Sequence, residues 1–263
     1  MSIATSLKAG SCLAAYFLAP AVSASIVSIP FVEDFESYAT DGPTDFTESN
    51  SAAFQIQSYN GSQTYRAAIV SSASAWASVQ AENSAGKDFS ISSDFIFNSV
   101  TQGSASAANL SLIAAATDGN FSNSGGAFYR VSMNYFNGNN FTLIRSGTAL
   151  TPVSSSGVNP SLVGSTTGDL YEISLDADYL SATSANLTLT IVSDAGTYVA
   201  NYVDNSTISG EFFVYRVAKN GSGSAISIYT DNFSLNVVPE PSGSLLFLVS
   251  GTLLGRCRRR VTC

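Results

Sequence analysis

The sequence predicts an all-β protein, a two-sheet antiparallel sandwich, on three observations. Apolar residues recur at every second position through most of residues 26–236. Asn-Gly and Asp-Gly dipeptides punctuate these runs. No stretch among them shows the three-to-four-residue apolar spacing of an amphipathic helix.

The runs justify the strands in chain order. "DFSISSDFIF" puts Phe89, Ile91, Phe95 and Phe97 on one face, and "FYRVSMNYF" does the same with Tyr129, Val131, Met133 and Tyr135. "LYEISLDA" aligns Tyr171, Ile173 and Leu175, while "NLTLTIV" aligns Leu187, Leu189 and Ile191. Alternation of this kind buries one side of a strand and wets the other. Turn dipeptides stand at Asn60-Gly61, Asp118-Gly119, Asn137-Gly138 and Asn220-Gly221, and Asn137 to Asn140 reads as a hairpin connection. In "ISIYTDNFSL" the inward parity changes from Ile226 and Ile228 to Phe233 and Leu235. A strand changes its inward face only through a bulge, expected here near Tyr229 to Asp231.

Composition narrows function. Charged residues are 11% of the chain, well below the roughly 25% of ordinary soluble domains, so hydroxyls and amides carry the polar surface. The 16 Phe and 12 Tyr supply a core that disordered chains lack. Between the two ends, Arg66, Lys87, Arg130, Arg145, Arg216 and Lys219 face eighteen acidic residues, a net charge of −12. That balance repels phosphate backbones and excludes a nucleic-acid partner. With no histidine in the chain, Ser-His-Asp and Cys-His catalysis and histidine metal sites are excluded. Cys12, Cys257 and Cys263 all lie in the terminal segments, leaving the body to stand on core size alone.

Residues 1–24 read as a secretory signal peptide: Lys8, an apolar stretch from Cys12 to Leu18, then Val22 and Ala24 before a cut after Ala24. The body is expected over 25–236 and a distinct tail over 237–263. That tail, "VPEPSGSLLFLVSGTLLGRCRRR", carries Pro239-Glu240-Pro241, an apolar run from Gly243 to Gly255, and a basic end of Arg256, Arg258, Arg259 and Arg260. As a helix the run spans about 20 Å at about 1.5 Å per residue, a short transmembrane helix against a ~30 Å hydrocarbon core. Arginines beyond it hold that end in the cytoplasm and the body outside. The tail resembles the PEP-CTERM sorting signal of bacterial exported proteins. The resemblance implies the general secretion machinery and an exosortase as partners and transient anchoring in the inner membrane. It also implies release to the cell surface or extracellular matrix.

The body resembles laminin-G or concanavalin A-like jelly-roll domains. "VEDFESY" near the start and "YTDNFSL" at the end carry the resemblance, with "SSDFIF", "FYRVSMNY", "TLIRSG" and "DLYEISLDADYL" between them. It implies a sandwich whose first and last strands lie side by side. On that expectation Asp231, re-aimed by the bulge, stands beside Asp34 and Glu36, a candidate oxygen set for a structural Ca²⁺, weighed against solvated edge carboxylates and an Asx turn. The candidate sugar-binding aromatics are Trp76, the sole tryptophan, with Tyr59 and Tyr65 in neighbouring strands; the competing reading makes all three core. Asp176 and Asp178 share a strand face, but no paired-carboxylate glycosidase string and no Asp-x-Asp-x-Asp-Gly loop occurs. The expectation is an exported, exosortase-sorted surface or matrix protein with a non-enzymatic body that takes extracellular polysaccharide. A secreted carbohydrate-active enzyme with an unrecognised site and a purely structural matrix protein stay open as alternatives.

Overall fold

The computed structural model describes residues 30–38, 46–69, 74–101, 107–117, 126–134, 140–162, 165–220 and 225–238. The signal peptide, Asp118-Gly119, Asn137-Gly138, and the tail from Pro239 through Arg256 and Arg258 to Arg260 lie outside them.

Sixteen strands and one 3-10 turn (Ser51–Ala53) make up the regular structure of these residues. The first eight strands are β1 (Phe31–Glu33), β2 (Thr47–Glu48), β3 (Phe54–Tyr59), β4 (Ser62–Ile69), β5 (Ser74–Gln80), β6 (Phe89–Thr101), β7 (Ala107–Ala116) and β8 (Tyr129–Asn134). The remainder are β9 (Thr142–Arg145), β10 (Thr148–Ala149), β11 (Ser154–Ser156), β12 (Leu170–Ser181), β13 (Ser184–Ser193), β14 (Gly196–Asp204), β15 (Phe212–Asn220) and β16 (Ala225–Val237). Every pairing is antiparallel. One sheet runs β11-β14-β13-β12-β6-β16-β4-β3, with β1 as a ninth strand on β16, and the other runs β10-β9-β8-β7-β15-β5-β2.

The period-two residues meet between the sheets. Ile91, Leu175, Leu187, Leu189 and Ile191 from the nine-stranded sheet face Leu110, Val131, Leu143, Phe213 and Val217 from the seven-stranded one, all buried in one cluster. An aromatic group centres on Tyr215, whose ring lies 5.2 Å from Phe233, 5.8 Å from Phe95 and 5.9 Å from Phe46. Its buried hydroxyl shares a 2.6 Å hydrogen bond with Ser93, so a polar tip in the core is satisfied.

Local chemistry sets the connections. Asn60 and Gly61, with φ of 51° and 91°, form the two-residue turn that joins β3 to β4 in a hairpin closing at Tyr59 and Ser62. The first and last strands do pair, Glu33 opposite Phe233 and Phe31 opposite Leu235. The expected bulge sits slightly further along than the parity suggested. Pairing of β16 with β6 jumps from Asp231–Asp94 to Ser234–Ser92, with Asn232 left-handed at φ 50°. One extra residue on β16 thus turns the inward face from Thr230 to Phe233, both fully buried.

One ion pair occurs among the described residues. Arg145 of β9 reaches Asp204 at 2.7 Å, and Asp204, at the end of β14, also accepts from the Tyr129 hydroxyl at 2.8 Å and the Ser206 amide at 3.0 Å. This buried carboxylate ties the two sheets together at one end.

Candidate functional site

Pairing of β1 with β16 brings the predicted acidic residues near one another. Asp231 is raised from the usual carboxylate range mainly by burial, with further contributions from the neighbouring charges of Asp94, Glu36 and Asp34, and the Asn232 amide opposes the rise. Yet Asp34, Glu36 and Asp231 do not converge on one point, and among the described residues no group of three such side chains is placed to hold a metal ion. Their oxygens are engaged locally. Asp34 accepts the Glu36 amide in an Asx turn at 3.2 Å, Glu36 accepts the Ser62 hydroxyl and the Gln63 amide, and Asp231 accepts the Asn232 amide at 2.8 Å.

The predicted aromatics are not brought together either. Tyr65 is fully buried in the core, stacked between Phe35 and Phe54, and donates its hydroxyl to Glu48. Tyr59 stands on the outer face of the nine-stranded sheet against Tyr229, ring centres 4.8 Å apart. Trp76 belongs to β5, in the other sheet. The chain crosses between sheets after β4, which closeness in sequence could not show.

Trp76 nonetheless marks a distinctive surface. On β5, β15 and β7 the core takes Ala75, Ala77 and Val79, then Phe213, Tyr215 and Val217, then Ala108, Leu110 and Leu112. The alternate residues therefore point outward from the seven-stranded sheet. Register aligns them in rows. One row reads Thr142, Ser132, Ser111, Arg216, Trp76 across β9, β8, β7, β15 and β5, and the next reads Ile144, Arg130, Ile113, Val214, Ser78. The outer face of a sandwich ordinarily stands in water. Here Ser111 and Ile113 are 1% exposed, Val214 is fully covered and Arg216 is 8% exposed. Part of that cover is local: Trp76, Phe128 and Phe212 pack against Ile113, Ala116 and Val214.

Polar groups on this face are left wanting. Among the described residues, three buried side-chain atoms have no hydrogen-bond partner, the Asn109 Oδ1, the Ser111 Oγ and the Arg130 Nε, and all three belong to outward positions of β7 and β8. An unmet buried polar atom costs about 1–3 kcal/mol, so three on one surface is a pattern to explain. Burial pulls the Arg130 guanidinium below its usual range, and burial with the nearby Arg130 charge does the same to Arg216. The Arg130 guanidinium also lies 5.6 Å from the centre of the Phe128 ring. Among the described residues, the outward positions of β5, β15, β7, β8 and β9 hold no carboxylate, tyrosine or lysine. The partly exposed Trp76, Phe128, Asn109 and Arg130 can stack a ring and hydrogen-bond hydroxyls; a proton acceptor must come from elsewhere.

No family model and no curated protein matches the chain. Among solved structures, the alginate lyase Aly36B matches with a TM-score of 0.51 at 12% identity, over 79% of this chain and 96% of its own. A double mutant of that lyase in complex with an alginate trisaccharide gives a TM-score of 0.50 at 13% identity, over 80% of this chain and 98% of its own. A winged bean acidic lectin complexed with methyl-α-D-galactose gives a lower TM-score of 0.47 at 11% identity, over 80% of this chain and all of its own. At these identities the likeness is one of fold. It corrects the expectation of a non-enzymatic body to this extent: the same fold is found in enzymes, the alginate lyases. The missing glycosidase carboxylate pair bears on hydrolysis; a lyase breaks its bond by elimination, without water as the attacking group.

Proposed function

We propose that the protein is a secreted carbohydrate-active enzyme that holds an extracellular polysaccharide on the outer face of the seven-stranded sheet. One observation carries this reading: that face holds the Asn109 Oδ1, Ser111 Oγ and Arg130 Nε, which lack a partner among the described residues, and also the aromatic rings of Trp76 and Phe128. Sugars present hydroxyls that both donate and accept, and C–H faces that lie on aromatic rings, so one ligand meets all of these needs. In this reading the partly exposed Trp76 positions the ring and the partly exposed Asn109 and Arg130 meet its polar groups, with the buried Ser111 beneath them.

The export half of the proposal rests on the tail sequence: Pro239-Glu240-Pro241, the apolar run, and Arg256 with Arg258 to Arg260. In this reading an exosortase takes the Pro-Glu-Pro segment at the inner membrane, and the body is delivered to the cell surface or matrix.

Incubation of the purified protein with a polysaccharide panel, followed by assay of new reducing ends and of unsaturated sugar products, tests the enzyme reading. Products from one polysaccharide class support it, and no product from any of them refutes it. For the tail, deletion of 239–263 should abolish surface delivery in the native host, and unchanged delivery would refute the sorting assignment.

A further inference from the structure

We infer that one end of the sandwich lies on the phospholipid surface while the tail holds the protein in the inner membrane. It is the end where β16 finishes and β6 begins, and it presents Val153, Leu180, Val203 and Val238. The inference rests on the export reading above and adds to it the way the body is presented.

Where the chain leaves the fold is the first ground. The Val238 amide donates to the Asp88 carbonyl at 2.9 Å, so the body is hydrogen-bonded up to the residue before Pro239. From Val238 to Gly243, where the apolar run begins, there are five Cα steps, about 18 Å at full extension. With the run in the bilayer, this end can stand no further off than that. The preceding chain leaves from the same end, because β1 runs antiparallel to β16 with Phe31 opposite Leu235. Both segments read as entering the membrane, the signal peptide and the tail, thus join the body at one end. The twelve residues of β12 span about 40 Å, so the opposite end of an upright body stands well clear.

The side chains at that end are the second ground. Six large apolar side chains are exposed among the described residues, and four of them gather here. Val238 lies beside Asp88, and the Asp88 carboxylate accepts the Tyr179 amide near the end of β12. Across β12, β13 and β14 the same level holds Asp178, Asn186 and Val203. Leu180 projects beyond it beside the β12–β13 turn, and Val153 sits one position short of it, its amide bonded to the Asn201 carbonyl. Of the other two, Val32 lies further in, opposite Ser234, and Val158 follows Ser156, which pairs with Val199 toward the far end of β14. Apolar groups gain by leaving water for the acyl boundary of a bilayer. An acidic body gains nothing from anionic headgroups, so the contact depends on these side chains and on the short tether.

The test places the chain, tail intact, in vesicles of phosphatidylethanolamine and phosphatidylglycerol whose headgroups carry a nitroxide quencher. Cys12, Cys257 and Cys263 are replaced by serine, and one environment-sensitive fluorophore is attached at Val203→Cys or, in the exposed β13–β14 turn at the other end, at Asp194→Cys. Quenching at least about threefold stronger at Val203→Cys is expected, with a blue shift of its emission, because β14 puts roughly 23 Å between the two probes. Leu180→Cys, beside the exposed hairpin turn, takes its place if Val203→Cys does not fold. Equal quenching of the two probes would overturn the orientation while leaving the anchor intact, and quenching without the blue shift would overturn the apolar contact. Protein that fails to partition with the vesicles would overturn the anchor reading and this inference together.

Discussion

Replacing Arg130 by methionine should make the protein more stable and, under the proposed function, weaken the binding of polysaccharide. The guanidinium carries an Nε with no partner, held out of water on the outer face of the seven-stranded sheet. Removing such a group recovers about 1–3 kcal/mol. Loss of the contact with the Phe128 ring, 5.6 Å away, removes about 0.5–1 kcal/mol. Methionine keeps an unbranched apolar stem, so the packing of the arginine's own methylene groups survives. The balance is a gain of about 0–2.5 kcal/mol, increased by the repulsion of Arg216 that also disappears. At about 2–4 °C per kcal/mol for a domain of this size, the melting temperature should rise by up to roughly 10 °C. Differential scanning calorimetry of the two proteins reads this directly, with titration of the polysaccharide on the same samples. A lower melting temperature for the variant would show that the protein itself compensates Arg130, and the argument that the residue is held ready for a ligand would fail.

Three further outcomes follow from the same geometry. Asp204→Ala leaves the Tyr129 hydroxyl, the Arg145 guanidinium and the Ser206 amide without their acceptor, and should destabilise by about 3–5 kcal/mol in urea unfolding. Asp231→Asn keeps an oxygen for the Asn232 amide but removes a half-buried charge facing Asp94, Glu36 and Asp34. It should raise the melting temperature at neutral pH, and the gain should fade as pH falls into the carboxylate range, where Asp231 is itself neutral. Burial pushes Tyr202 up to about 12 and moves Tyr65, Tyr129, Tyr179 and Tyr215 the same way. Folding therefore favours the neutral phenols. Their contribution is complete below the ordinary tyrosine range and is lost as pH rises through the folded values, so unfolding above about pH 10 should coincide with phenolate absorbance.

Strand parity was the most legible layer of the sequence. Phe89, Ile91, Phe95, Phe97 and the Leu187 series are buried as a period of two requires, because a strand with one wet face admits no other register. The parity change in β16 likewise located the bulge to within a residue or so, since geometry allows few ways to turn a strand over. The candidate site was less legible. Tyr59 and Tyr65 were grouped with Trp76 by closeness along the chain, but β4 and β5 belong to different sheets, and which sheet a hairpin joins is a long-range matter. Asn109, Ser111 and Arg130 alternate with apolar residues as any solvated strand face does, so nothing local announced that they are covered. A signal did exist in "FFVYRVAK" and "SLIAAA", which are apolar at both parities. Such runs belong to strands buried on both sides, and the lone arginine within the first is Arg216.

Trp76, the only tryptophan in the chain, stands in the row that also holds Arg216 and Ser111, and its emission reports on that face alone. Titration of the purified protein with the polysaccharide it converts, while recording tryptophan fluorescence, is thus the most direct test of the proposed face. Saturable change in the Trp76 emission, absent in Arg130→Gln, is the predicted result. Calorimetric binding of the same polysaccharide with the Trp76 emission unchanged would place the ligand elsewhere and contradict the account.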